Sequence, residues 1–347
     1  MAVTIRDVAL KAGVSFQLVA AVLGKKKYAH ASTATREKIF AAAESLGYVP
    51  NAHARILRGD ASKIIGVLID SRAPVAMYSI LAEIEQLADV HGYRILSAQT
   101  HDNPEKLLQS YYALKQNGVD GVISFSHDYS QFGYHLDKRL QDDPKIVFVL
   151  NTDEQNTSAV DIDMKDGIIA AADHLRNQGY KKTAFLLFGE KTLKSLTQGN
   201  RDRLAGFRQG CPEGDIILLK TSSSNIEELE KECRTLLEEK LLPEKFDSVI
   251  ALNDFLALIF MNQLMLMGIR IPQEFGIVGC DNLPFGMCYP VKLTTLNYDR
   301  KKLAQTTFQI MLDKINGNTD PVRVNIPMEL IVRESTIRHN IKVREQS

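Results

Sequence analysis

A chain of 347 residues, in which 42 lysines and arginines balance 42 aspartates and glutamates, has room for a small domain and a large second unit of one or two lobes. Its four cysteines (Cys211, Cys233, Cys280 and Cys288) form no CxxC pair and have no histidine cluster nearby, which argues against a metal site and a disulfide framework. No uncharged apolar run is long enough to span a bilayer and nothing near Met1 reads as a secretory leader, so reduced thiols in a cytoplasm are the expectation.

In chain order, residues 4–58 parse into three short helices, a tight first turn and a basic tail. Thr4 is placed to cap a helix whose Ile5, Val8, Ala9 and Ala12 follow helical spacing, with Asp7 in the first turn where a carboxylate suits the dipole. Gly13 supplies the backbone freedom for an abrupt turn. Ser15 then caps a second helix that buries Val19, Val22 and Leu23 and leaves Phe16, Gln17, Ala20 and Ala21 outward, a shape that fits a major groove. A third helix over residues 32–46 carries Ile39, Phe40, Ala43 and Leu46 into the small core and stops at Gly47. Nine basic side chains stand against four acidic ones in the first sixty residues. That local excess on a neutral protein is what phosphate contact at one end requires.

The runs Thr4-Ile-Arg-Asp-Val-Ala, Ala12-Gly-Val-Ser, Thr35-Arg-Glu-Lys-Ile, Leu46-Gly-Tyr-Val-Pro-Asn and Ala54-Arg55 resemble, in order and spacing, the DNA-binding headpiece of the lactose-repressor (LacI/GalR) family of bacterial transcription regulators. The resemblance implies that the second helix reads operator bases through Phe16 and Gln17, with Gln17 pairing to adenine, while Thr4, Ser15 and Thr35 meet phosphates. The chain departs from the family pattern at Leu18, Ala20 and Ala21, where polar residues are common. Base readout is therefore expected to rest on Gln17 and on apolar contact of Phe16, Leu18 or Ala21 with thymine methyls. Affinity is expected to draw on Lys25 and Lys26 in the Lys25-Lys26-Lys27 run, for which a solvated loop is the alternative. Residues 50–58 resemble the family's hinge helix, with Leu57 as the minor-groove wedge, Asn51, Arg55 and Arg58 on the duplex, and Ala54 small enough for two such helices to pack closely. Leu57 could instead cover the linker.

From Ile64 onward, strand-like apolar runs alternate with helical periods, the pattern of parallel sheets with helices on both faces. Strands are expected at 64–69, 94–97, 121–125 and 146–150, with helices over 79–91 and 104–117 and a mixed segment over 127–143. This series closes a first lobe. A second begins after Asn151 with a strand at 159–162 and continues through strands near 183, 216, 248 and 275. Its helices fall near 166–178, 201–209, 226–240 and 256–267. Near Leu293 the chain is expected to return to the first lobe with residues 294–298 and a helix over 300–315. This resembles the periplasmic-binding-protein-like effector domain of the same family. The expected organisation is an all-α helix-turn-helix headpiece over 1–49, a hinge and linker over 50–63, and an α/β two-lobed effector and dimerisation domain over 64–347.

Ligands of such two-lobed folds sit between the lobes at strand carboxyl ends. By motif, Arg203 in Arg201-Asp-Arg-Leu-Ala-Gly-Phe matches the arginine that grips the effector, and Asp281 matches the acidic residue that accepts from its hydroxyls. Asn253 and Asn151 match two further polar positions, and Ser71 and Tyr78 lie on the first crossover. Each has a structural alternative: Arg203 could pair with a surface carboxylate, Asn253 could cap the next helix, and Asp281 could brace a turn. Arginine, carboxylate and amides together suit a polyhydroxylated ligand, so a sugar or sugar derivative is the leading effector and a purine the second. Met261, Leu264 and Met265 are the dimer-interface candidates by the same resemblance. The expectation is an allosteric DNA-binding regulator, a repressor and homodimer on double-stranded operator DNA, with no cofactor and no catalytic site. No GxSxG, HExxH, Walker or dinucleotide motif is present. The alternatives are an exported-type solute-binding protein, or a regulator with non-standard operator recognition.

Overall fold

Caps set the three amino-terminal helices. Helix α1 (Ile5–Ala12) opens where the Thr4 N–H and Oγ1–H both donate to Asp7 Oδ2, at 2.8 and 2.7 Å. Those two bonds hold the Asp7 carboxyl below its usual range. The chain then turns at Gly13 with φ 66°, into α2 (Phe16–Leu23), where the Leu18 N–H donates to Ser15 Oγ at 3.3 Å. Helix α3 (Thr33–Ser45) opens at Ser32, whose Oγ accepts from the Thr35 N–H at 3.2 Å. Val8, Ala9, Val19, Val22, Ile39, Ala42 and Ala43 form the core between them. Three expected core residues are less covered, Leu46 among them, packed at the core's edge. Leu23 is only partly covered, and Phe40 is 49% exposed, because Ile39 and Ala43 occupy the inward stripe and residue 40 sits a helical step away from it.

The computed structural model describes residues 3–24, 30–48, 61–71, 73–101, 103–126, 135–150, 152, 156–188, 196–221 and 225–338. It divides into two compact units, Met1–Ser62 and Lys63–Ser347. The expected hinge residues Asn51, Ala54, Arg55, Leu57 and Arg58 fall outside the described residues, as do Lys25, Lys26 and Asn151.

The larger unit is built on two six-stranded sheets. Strands β1 (Ile64–Ile69), β2 (Arg94–Gln99), β3 (Gly121–Ser124), β4 (Ile146–Val149), β5 (Ala159–Ile162) and β11 (Arg323–Ile326) form the first, in the order β11-β5-β4-β3-β1-β2. Strands β6 (Thr183–Phe188), β7 (Asp215–Leu219), β8 (Ser248–Ala251), β9 (Gly276–Cys280), β10 (Thr294–Tyr298) and β12 (Met328–Ile331) form the second, in the order β12-β10-β9-β8-β6-β7. Strand pairs are parallel except β10 with β12. Runs such as Ile65–Ile69 and Gly276–Cys280 are buried throughout because helices cover both faces of each sheet. On the first sheet, α4 (Val75–Val90) and α11 (Arg300–Ile315) cover one face and α5 (Pro104–Gln116) the other, with the short α6 (Lys138–Gln141). On the second, α7 (Met164–Asn177) and α8 (Gln198–Gly210) cover one face. Helices α9 (Ile226–Leu236) and α10 (Asp254–Leu266) cover the other.

Two strand assignments are corrected. Residues 159–162, expected to open the second lobe, pair with β4 in the first sheet, and residues 294–298, expected in the first lobe, pair with β9 in the second. Strands β11 and β12 were not anticipated at all. The local pattern of a buried parallel strand does not say which sheet it joins; its hydrogen-bonding neighbour does. The chain therefore passes between lobes after β5, after β10, and between β11 and β12. Aspartates cap the helices at the first two crossings: Asp163 Oδ1 accepts from the Asp166 N–H at 3.2 Å and Asp299 Oδ1 from the Lys302 N–H at 2.9 Å. Among the described residues no helix is long and apolar enough to cross a membrane.

Candidate functional site

The carboxyl ends of β8 and β9 carry the polar residues that matter. After β8, Asn253 caps α10, its Oδ1 accepting from the Leu256 N–H at 2.9 Å, so the capping alternative describes that oxygen. The next residue, Asp254, is fully buried. Its carboxylate accepts from the Leu283 N–H at 2.6 Å and from Thr295 Oγ1–H at 2.5 Å. Burial pushes this carboxyl up to about 6, against the pull of its two donors.

After β9 the backbone enters the left-handed region at two successive non-glycine residues, Asp281 (φ 104°) and Asn282 (φ 47°). Several groups hold this turn. The Asp281 N–H donates to the Leu296 carbonyl at 2.9 Å, the Asn282 N–H to Thr295 Oγ1 at 3.2 Å, and Arg333 Nη2 to Asn282 Oδ1 at 2.6 Å. Arg300 donates to the main-chain carbonyls of both Asp281 and Asn282. The Asp281 carboxyl is thereby fixed in a dry site, where burial pushes it up to about 7; Arg203 and Arg300 pull it down and Asp254 pushes it further up. Among the described residues its hydrogen-bond donor is the Cys280 thiol, at 3.8 Å.

Arg203 projects from α8 into the same field. Its Nη1 donates to Asn200 Oδ1 at 3.1 Å, while its Nε is buried without a partner among the described residues. A buried guanidinium N–H left unmet costs stability, and a ligand that accepts from it recovers that cost. Arg203 and Asp281 thus feel each other electrostatically with no ion pair between them among the described residues. That arrangement leaves a donor and an acceptor available to a third group.

Of the sequence-predicted effector residues, the structure brings Arg203 and Asp281 together, with Asn253 at the helix start next to Asp254. Ser71 is exposed at the end of β1, and Tyr78 OH donates to the Asp70 carbonyl at 2.8 Å; no hydrogen bond among the described residues joins either to the Arg203 group. A cavity of about 470 Å³ opens between the lobes, lined by Thr152, Asp161 and Arg323 on one side and Gln198 and Asp202 on the other. Sequence reasoning missed Asp254, Asn282, Arg300 and Arg333. The legible signal for Arg300 was an arginine in the first turn of a helix, where the dipole disfavours a cation, so its side chain must have acceptors elsewhere.

The dimer-interface expectation is partly overturned. Met261 and Leu264 have no exposure and lie in the core under the second sheet, since a helix apolar around most of its circumference must spend most of it on its own domain. Met265 is 38% exposed and its neighbour Leu266 64%. In the headpiece, Phe16 and Gln17 face solvent, whereas Leu18 and Ala21 rest partly on the headpiece core. Thr4 and Thr35 already use their hydroxyls in capping, Thr35 Oγ1 lying 2.9 Å from Ser32 Oγ.

Residues 4–51 match the bacterial regulatory proteins of the lacI family, and residues 172–336 match the periplasmic binding protein-like domain. Over 335 residues the chain is 31% identical to the ribose operon repressor of Halalkalibacterium halodurans, covering 96% of this chain and 97% of that protein. It is 25% identical over 337 residues to the HTH-type transcriptional repressor PurR of Photobacterium profundum, covering 96% and 98%. In three dimensions it resembles the Lac repressor dimer bound to operator and the anti-inducer ONPF, with a TM-score of 0.84 and 26% identity over 97% of this chain and 100% of that one.

Proposed function

This chain belongs to the lacI family of bacterial regulatory proteins and is a DNA-binding transcriptional repressor with a ligand-binding domain, and we propose that its ligand is a sugar or sugar derivative held by Arg203 and Asp281. The observation that carries the ligand class is the pairing of an Arg203 Nε that is buried without a partner among the described residues with an Asp281 carboxyl whose donor there is a thiol. A hydroxyl both donates and accepts, so one polyol satisfies the two groups at once. The likeness to a ribose operon repressor supports the same class.

As in the Lac repressor dimer bound to operator, two chains present two headpieces to a two-half site. Gln17 pairs with adenine, Phe16 and the uncovered parts of Leu18 and Ala21 meet thymine methyls, and Thr4, Ser15, Thr35, Lys25 and Lys26 contact the phosphate backbone. The segment with Asn51, Arg55, Leu57 and Arg58 lies on the minor groove. Met265 contributes to the dimer surface. Effector and operator affinities are linked by one coupling free energy that acts equally in both directions.

A purine is the second reading, favoured by an Asp281 carboxyl that still holds a proton near neutrality and can donate to a ring nitrogen. Selection of bound genomic fragments by the purified full-length protein, alone and with D-ribose, other pentoses and hexoses, hypoxanthine or guanine, tests the whole reading. A recurrent two-half motif whose recovery changes with a sugar supports it. Recovery no better than random duplex in every condition ends it.

A further inference from the structure

Arg300 is the first residue of α11, which packs on α4 and on strands β3, β4 and β5 of the first lobe. Its guanidinium nevertheless reaches back to the second lobe, where Nη1 donates to the Asp281 carbonyl and Nη2 to the Asn282 carbonyl at 3.3 Å. Among the described residues the other contacts on this turn come from the second lobe itself, from Asp254, Thr295, Leu296, Asn297 and Arg333. We propose that Arg300 is a positioning residue and interlobe strut, which ties the effector-facing turn at Asp281 to the start of α11 so that a change at Asp281 is passed to the first lobe. The inference rests on reading Asp281 as an effector ligand, but its test does not need the effector.

The physical argument is geometric. Asp281 and Asn282 both occupy left-handed backbone conformations, which are uncommon for residues other than glycine even though Asn and Asp adopt them most readily, and two in succession are held by the bonds around the turn. A two-pronged, charged donor on consecutive carbonyls fixes both peptide planes at once. When a ligand engages the Asp281 carboxyl, the plane that Arg300 holds must either resist or turn, and in turning it pulls the helix whose first residue is Arg300. A cation at a helix start opposes the dipole, and the two carbonyl acceptors offset that penalty. The ring of Tyr298 beneath the guanidinium, 6.0 Å from its centroid, limits where else the side chain can go.

The test is a double-substitution cycle read by hydrogen exchange in the full-length protein, with Asp281→Asn as the change at the effector position. The reporters on the first lobe are the amides of Lys302 and Leu303, which donate to the side chain and carbonyl of Asp299. Asp281→Asn is expected to change their exchange by about tenfold in the wild-type background and to leave it unchanged in the Arg300→Met background. Arg300→Lys, which keeps the charge and can meet one carbonyl, is expected to restore part of the response. An equal effect of Asp281→Asn in both backgrounds overturns the strut. If Arg300→Met loses protection across β9 and is unfolded, Arg300→Lys replaces it in the cycle: a response to Asp281→Asn smaller than in wild type supports the strut and an equal one overturns it. Calorimetry of D-ribose and hypoxanthine on wild type and on Asp281→Asn separately decides whether Asp281 faces an effector, so that reading can fail without touching the strut.

Discussion

A Cβ on Gly279 would stand 2.2 Å from Asp254 Oδ1, so the bare backbone of β9 is what lets the buried carboxylate lie against the strand that leads to Asp281. Gly279→Ala displaces Asp254 and with it the bonds to Leu283 and Thr295. The expected cost is about 2–4 kcal/mol, from overpacking plus a broken buried network, together with loss of effector response. Urea unfolding of the variant measures the first; an unchanged midpoint would show that Asp254 has another place to go.

Asp254 and Asp281 are raised to about 6 and about 7 from 3.8 by burial. The folded protein therefore binds more protons than the unfolded chain across the interval above the ordinary carboxylate range. Stability from these two groups is present at low pH and is lost as pH rises through about 6 and 7, levelling off above. Thermal unfolding between about pH 5 and pH 8 is expected to show a decline that Asp281→Asn flattens. A sugar whose hydroxyls donate to ionised Asp281 binds more weakly as pH falls below about 7, and calorimetry at two pH values reads this directly.

Among the described residues Arg203 donates to Asn200 and its Nε has no partner, so it contributes little to the folded state on its own. Arg203→Ala is expected to cost under about 1 kcal/mol of stability and to weaken effector binding by at least about tenfold. Equal calorimetric affinities for variant and wild type would remove Arg203 from the site.

On the DNA side, Gln17 is exposed at the start of α2 while Leu18 and Ala21 are half committed to the headpiece core. Gln17→Ala is expected to cost about 1–3 kcal/mol of operator affinity and to relax preference at one base pair. With few polar base contacts, backbone charge carries much of the binding, so affinity falls by at least about tenfold between about 50 and 200 mM salt. A fluorescence titration that is flat with salt contradicts this.

Met265 and Met261 separate interface from core. Met265→Arg, at a partly exposed position, is expected to raise the monomer fraction in sedimentation equilibrium with little loss of fold. Met261→Ala, at a position with no exposure, is expected to destabilise the second lobe by about 2–5 kcal/mol. Reversal of the two effects would move the dimer surface to the other face of α10.

Much of this protein was written in local chemistry. Ser15 announces a helix start because its hydroxyl meets an amide three residues on, Thr4 because it pairs with the Asp7 carboxylate, and runs such as Ile64–Ile69 announce buried strands because both faces must be dry. Periodicity and caps are short-range, and a reader of the chain finds them without knowing the fold. The headpiece, the alternation of strands and helices, and the motifs around Arg203 and Asp281 were legible for that reason. Which sheet residues 159–162 and 294–298 join was not, since the partner lies far off in the chain. Nor was the set of groups around Asp281: Asp254, Arg300 and Arg333 come from three separate segments, and only folding brings their charges around one buried turn. There burial raises the carboxyls and a guanidinium from one lobe closes on two carbonyls of the other. Long-range pairing and desolvation depend on position in space, which only the tertiary structure supplies.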